Sequence, residues 1–168
     1  DCQAMVKAAF VDDELNDRMK LTSANSINPA RFLPQMFYYF WAYAQLLKTT
    51  GDENVGDKLV FCVPSGNLGN ICSALIGNRM GLPVKRFIAA NNRNRVFADY
   101  LSSGIYSPKA SILTVANAMD VGAPSNFARI LDLYGKDYDK ISAAISGYSF
   151  DDKEILDIIN NVYREKGY

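Results

Sequence analysis

The 168-residue chain contains no histidine, three cysteines and no net charge, with Lys plus Arg and Asp plus Glu each numbering 18. Without histidine, a Ser-His-Asp or Cys-His triad is excluded within the chain, and a zinc site is disfavoured. The charge balance gives no electrostatic reason to expect nucleic acid or an anionic membrane as a partner. No apolar run reaches the roughly 20 residues that a membrane-spanning helix needs. The cysteines Cys2, Cys62 and Cys72 show no metal-ligand spacing, so no metal is expected. An odd, small number points instead to a reducing, cytoplasmic compartment. Cys62 sits in the apolar run Val60-Phe61-Cys62-Val63 and reads as a small buried hydrophobe. The start, Asp-Cys-Gln, has neither an initiator Met nor a signal-peptide pattern, and is expected to be a cut from something longer. Any chemistry here has to use other groups or a cofactor.

What is present is ordinary globular composition, 49% hydrophobic and 21% charged, enough for one well-buried core. Cys2, Met5, Val6, Ala9 and Phe10 follow helical spacing, with Asp1 placed to cap. Leu21 to Ala24 reads as a short strand. Asn28-Pro29 is a helix-start signal, with Pro34 expected to kink or restart the helix. The stripe Leu33, Phe37, Phe40, Trp41, Ala44 and Leu47 is expected to be core. After a polar boundary at residues 49–54, strand 58–63 is expected in a buried parallel position, followed by helix 70–80 and strand 84–90. A second cycle follows: helix 96–101, a short strand at 112–115, and a helix opening at Pro124. Two tail helices close the chain, the second capped through Ser149 and Asp152 with Ile155, Ile158, Ile159 and Val162 on its apolar face. The fold class expected is α/β, three-layer, with a mostly parallel sheet flanked by helices.

The stretch Pro64-Ser65-Gly66-Asn67-Leu68-Gly69-Asn70 joins the first of these strands to its helix. A helix N-terminus at the carboxyl end of a parallel strand, with glycines allowing close backbone approach, makes an anion site. The loop lacks the lysine of a P-loop, and its two glycines, three apart, depart from the G-x-G-x-x-G dinucleotide fingerprint. Phosphate binding and a simple tight turn both remain open on pattern alone. A second helix start has similar character. Asn25, Ser26 and Asn28 precede Pro29, and Arg31 lies in the first turn, where a cation opposes the helix dipole. Either Arg31 holds an anion through its planar fork or it is a solvated side chain beside an N-cap.

Four segments in this order, SANSINPARFLPQ, PSGNLGN, GLPVKRFIAANNRN and ANAMDVGAPSNFARILDLYG, closely resemble the threonine synthase family. These are pyridoxal-phosphate enzymes of the tryptophan-synthase β-subunit fold group (fold type II), and the resemblance covers essentially the whole chain. It implies conversion of O-phosphohomoserine and water into threonine and phosphate, with O-phosphohomoserine as the small-molecule partner. It implies a cradle for pyridoxal 5'-phosphate from Gly66, Asn67, Leu68, Gly69 and Asn70, and a substrate-phosphate site from Asn25, Ser26 and Arg31, joined by Asn67. The substrate phosphate would leave by γ-elimination before water adds at the β-carbon, with the cofactor as electron sink. Asn117, Asp120, Ser125 and Asn126 match a family signature but also suit capping, and receive no catalytic role.

The family's cofactor lysine lies in a Phe-Lys-Asp context, which this sequence does not contain. The chain is therefore expected to be a central piece, inactive alone, that works with the remainder of a parent chain. Residues 1–54 are expected to belong to the smaller mobile domain and 55–168 to the large cofactor domain. The rival expectations are another fold type II enzyme, such as a serine or threonine dehydratase or cysteine synthase, and a non-catalytic phosphate-binding module.

Overall fold

The structure is a computed structural model that describes residues 2–24, 26 and 28–168, and the side chains from Met5 onward within that set. The expected cap Asp1 and the candidate Asn25 lie outside the described residues. The chain folds as α/β around a parallel sheet in the order β1-β2-β3, with β1 at Val60–Pro64, β2 at Arg86–Asn91 and β3 at Ile145–Ser149. Helices flank the sheet, as the alternation of elements implies.

The N-terminal part carries α1 (Cys2–Phe10), α2 (Asp13–Arg18) and α3 (Pro29–Phe32). The Asp12 carboxylate accepts from the Leu15 amide at 2.9 Å, a capping signal that starts α2. Residues 21–24 form no strand: among the described residues no strand ladder includes them, and the carbonyls of Ser23 and Ala24 accept from the side chains of Asn28 and Arg31 instead. Asn28 caps α3 through the Ala30 amide at 3.0 Å, with Pro29 at the first helical position, as its sequence signal requires. Pro34 has the expected effect. The chain passes through a 3-10 turn at Leu33–Gln35 and restarts as α4 at Met36–Thr50.

The aromatic face of α4 differs from expectation. Phe37 and Trp41 are 62% and 68% exposed, whereas Phe32 and Tyr39 are buried and Phe40 packs at the edge of the core. The face that packs inward is Met36, Tyr39, Phe40, Tyr43, Leu46 and Leu47, adjacent to the expected stripe. The run Met36 to Trp41 is apolar or aromatic at every position, so helical periodicity fits both faces equally.

β1 is joined through α5 (Gly69–Arg79) to β2, and β2 through α6 (Val96–Ser103) to the C-terminal half. β1 is an edge strand rather than a central one. Its side chains alternate, with Phe61 and Val63 toward the core while Val60 and Cys62 are exposed, so Cys62 is not the buried hydrophobe its apolar run suggests. Residues 112–115 are not a strand. The third strand is β3, between α8 (Tyr138–Ala144) and α9 (Asp152–Lys166). Its Gly147 admits the α6 backbone: a Cβ there would lie 2.8 Å from Ala98 Cα. α7 spans Phe127–Leu133, three residues later than Pro124 suggests. α9 is capped by Asp151 and Glu154 rather than Ser149 and Asp152, and none of its residues is buried. No described helix is long and apolar enough to cross a membrane.

The core centres on α5, whose Ile71, Cys72, Ala74 and Leu75 are fully buried against Phe32, Phe87, Phe127 and Ile130. Each large side chain so buried contributes about 1.5–3 kcal/mol. That packing fixes the start of α5, and with it the loop at the carboxyl end of β1.

Candidate functional site

The loop leaves β1 under tight control. The Ser65 amide donates to Ala90 O at 2.8 Å, its hydroxyl donates to Val63 O at 2.8 Å, and the Asn91 side-chain amide donates to Ser65 O at 2.6 Å. The chain then turns through Leu68, which adopts φ 63° and is 2% exposed. A non-glycine residue in the left-handed region costs about 1–2 kcal/mol, and here burial of the leucine side chain offsets it. Ser65 N–H is bonded as above, and the Cys72 N–H donates to Leu68 O at 3.0 Å. Between them, no described residue accepts from the main-chain amides of residues 66–71. Leu68 occupies the N-cap position of α5 without a side-chain cap. Consecutive unsatisfied N–H groups at a helix N-terminus are suited to a phosphate.

The loop glycines work by close approach. A Cβ on Gly66 would lie 2.7 Å from Met119 Cα, and one on Gly69 would lie 2.9 Å from Ser26 Cβ. Gly69 thus brings the second candidate segment against the first.

The two segments meet through side chains. Asn67 Nδ2 donates to Ser26 Oγ at 2.9 Å. Arg31 does not join that contact. It is exposed, and its Nε donates to the carbonyl of Ala24, while its terminal nitrogens meet no described residue. Asn70 accepts from the hydroxyl of Tyr39, whose pKa burial pushes up to about 12. The tyrosine is thus a neutral donor that ties α4 to the first turn of α5.

Three residues without a sequence-assigned role complete the cluster. Ser125 donates to Asn67 Oδ1 from its amide at 2.7 Å and from its hydroxyl at 2.9 Å. Asn126, fully buried, donates to Asn67 O at 2.8 Å and to Ser26 Oγ at 3.3 Å. Arg129 donates to Asn126 Oδ1 and to Ser26 O, and its guanidinium lies 5.1 Å from the centre of the Phe32 ring. Ser125 and Asn126 fall in a signature segment visible in the sequence, but reading Pro124 as a helix start disguised them as caps. Arg129 carried no separate signal.

Asp120 has a structural task. Its carboxylate accepts from Asn92 Nδ2 at 2.7 Å, Asn94 Nδ2 at 3.0 Å, and Thr114 through its amide at 3.1 Å and hydroxyl at 2.8 Å. This network holds the turn that places Met119 against Gly66. Asn117 is exposed at the start of that turn. A separate cavity of about 480 Å³, lined by Phe10, Val11, Leu21 and Pro29 among others, contains none of the loop residues. Among the described residues no cluster of metal-ligating side chains occurs.

No family model matches the chain. Over 167 residues, 99% of the chain, it is 43% identical to the threonine synthase of Haemophilus influenzae. The chain is a homologue of threonine synthases. It is 48% identical over 133 residues to the threonine synthase of Serratia marcescens. The crystal structure of threonine synthase from Escherichia coli superposes over 99% of the chain with a TM-score of 0.87 at 42% identity. That of threonine synthase from Brucella melitensis with pyridoxal phosphate bound superposes over 99% with a TM-score of 0.84 at 31% identity. The chain spans 38% of the length of the Haemophilus protein and 30% of the Serratia one.

Proposed function

We propose that this chain is the segment of a threonine synthase that holds two phosphates. One is that of pyridoxal 5'-phosphate; the other belongs to O-phosphohomoserine. The full-length enzyme is a carbon–oxygen lyase that turns O-phosphohomoserine and water into threonine and phosphate. The observation that carries this reading is the Asn67–Ser26 hydrogen bond at 2.9 Å, which joins the unsatisfied amides of residues 66–71 to a second group of donors.

In this reading the cradle of Gly66, Asn67, Leu68, Gly69 and Asn70 binds the cofactor phosphate through main-chain N–H groups and the positive end of α5. The bound cofactor supplies an electron sink for carbanion chemistry, which makes the absence of histidine no obstacle. Ser26, Asn67, Arg31 and Asn25 receive the substrate phosphate, and their donors stabilise the charge that grows on it as it leaves. Arg31 is available for this because its terminal nitrogens meet no described residue. Residues 1–54 then move as part of the smaller domain and 55–168 stay with the cofactor domain. The exposed free thiol of Cys62 fits a reducing cytoplasm. The 168-residue chain by itself releases no threonine, because it contains no Phe-Lys-Asp lysine.

The test is release of phosphate and threonine from O-phosphohomoserine by the full-length protein. Equal amounts of both are expected, with Ser26→Ala lowering kcat/KM by about ten- to a hundredfold through loss of a hydrogen bond to a charged group. Turnover of serine but not of O-phosphohomoserine would reassign the enzyme to the dehydratases.

A further inference from the structure

The hydrogen bonding around Ser26 fixes the direction in which its proton points. A hydroxyl has two acceptor sites and one donor. Ser26 Oγ accepts from Asn67 Nδ2 at 2.9 Å and from Asn126 Nδ2 at 3.3 Å, which fills both acceptor sites. Neither amide can turn over to reverse this. Asn67 Oδ1 is held by the amide and hydroxyl of Ser125 at 2.7 and 2.9 Å. Asn126 Oδ1 is held by Arg129, while its Nδ2 also serves Asn67 O at 2.8 Å. The Ser26 proton is then left to donate elsewhere, and no described residue accepts it, although the side chain is only half-buried.

Asn126 adds a second observation. It occupies the N-cap position of α7, where an asparagine ordinarily bonds the helix's own amides, yet it makes no capping hydrogen bond. Its side chain is fully buried and committed across to Ser26 and Asn67. The helix forgoes a cap to supply a donor to another segment.

We infer that Asn126 and Arg129 are positioning residues that force Ser26 to act as an outward hydrogen-bond donor, and so set its preference for an anionic oxygen such as that of the substrate phosphate. This rests on the threonine synthase reading above. Arg129 fixes the Asn126 amide, Asn126 and Asn67 fill the Ser26 lone pairs, and Ser26 gives its proton to the ligand. Asn126→Asp reverses the device. A carboxylate in that place keeps its pairing with Arg129 but becomes an acceptor beside Ser26 Oγ, draws the hydroxyl proton inward and sets a negative charge near the anion.

The experiment uses the full-length protein loaded with pyridoxal phosphate. Asn126→Asp, Arg129→Gln, Ser26→Ala and the double variant Ser26→Ala/Asn126→Asp are compared in KM, kcat, cofactor absorbance and thermal protection by O-phosphohomoserine. Asn126→Asp is expected to raise KM about tenfold or more and abolish protection, while leaving the cofactor absorbance intact. Arg129→Gln, which leaves Asn126 in place but frees its amide, is expected to shift KM in the same direction and serves if Asn126→Asp fails to fold. In the Ser26→Ala background, Asn126→Asp is expected to raise KM by a smaller factor than in the wild type, because the part that acts through Ser26 is gone and only the direct repulsion of the anion by the new carboxylate remains. A wild-type KM in Asn126→Asp or Arg129→Gln, or an equal effect with and without Ser26, overturns the inference while the threonine synthase reading stands. A wild-type protein that neither turns over O-phosphohomoserine nor is protected by it overturns both.

Discussion

Substituting Gly69 by alanine separates site geometry from stability. Gly69 opens α5, where alanine is intrinsically the better helix former by up to about 1 kcal/mol. Its backbone angle lies outside the left-handed region, so alanine meets no conformational penalty. The added Cβ, however, would lie 2.9 Å from Ser26 Cβ. An ordinary carbon–carbon contact needs at least about 3.4 Å, so the Ser26 segment has to retreat by about 0.5 Å. That retreat stretches the Asn67–Ser26 bond from 2.9 Å and the Asn126–Ser26 bond from 3.3 Å to or beyond the range of a hydrogen bond. A misplaced donor to a charged group costs about 1.5–3 kcal/mol, a loss of about ten- to a hundredfold in substrate affinity. Gly69→Ala in the full-length protein is therefore expected to melt near the wild-type temperature, keep its cofactor absorbance and show a raised KM for O-phosphohomoserine. An unchanged KM at full stability would refute the idea that Gly69 sets the Ser26 position. A collapse of stability without any change in KM would move its role to packing alone.

Other consequences can be measured directly. Asp120→Ala leaves the side-chain donors of Asn92, Asn94 and Thr114 without their shared acceptor, at a cost of about 3 kcal/mol or more in a denaturant titration. Asn28→Ala removes both the α3 cap and a bond to Ser23 O at 3.0 Å, and is expected to cost about 1 kcal/mol. The Cys72 thiol is pushed by burial from 9.0 to about 11, only partly countered by Arg129. The unfolded chain loses that proton first, so stability from this group is complete below pH 9.0 and falls as pH rises toward 11. Cys72→Ala is expected to flatten that stretch of the stability–pH curve. In native protein an alkylating reagent is expected to label the exposed Cys62 and spare Cys72 until unfolding.

The parts legible from sequence were those governed by local chemistry. Asn28-Pro29 announced a helix start because a cap and a pre-set φ act within one turn. Strand, glycine loop and helix at residues 60–79 were legible for the same reason, as was the parallel pairing of β1 with β2. The errors came where distant packing decides. Ile145–Ser149, with a glycine at its centre, has weak strand propensity, and becomes β3 because Gly147 lets α6 lie on it. Residues 112–115 have better strand composition but are held by side chains of Asn94 and Asp120 instead of a neighbouring strand. Cys62 is exposed because alternation along an edge strand turns it outward, and Trp41 because α4 packs through the adjacent face of Tyr39, Phe40 and Tyr43. At the site, the grouping of Ser26 with Asn67 is expected from the family resemblance alone and not from either segment's own pattern. The buried partners that orient them, Asn126 and Arg129, lie about a hundred residues from Ser26 in the chain and come together with it only through the packing of α7 on α5.

The most direct test of the two-phosphate arrangement is the electron density of the full-length protein crystallised with pyridoxal phosphate and inorganic phosphate. The account predicts one phosphate within hydrogen-bonding distance of the amides of residues 66–70 and a second against the Ser26 hydroxyl, on the side away from Asn126. A cofactor phosphate bound elsewhere, with the amides of residues 66–70 facing only water, would contradict it.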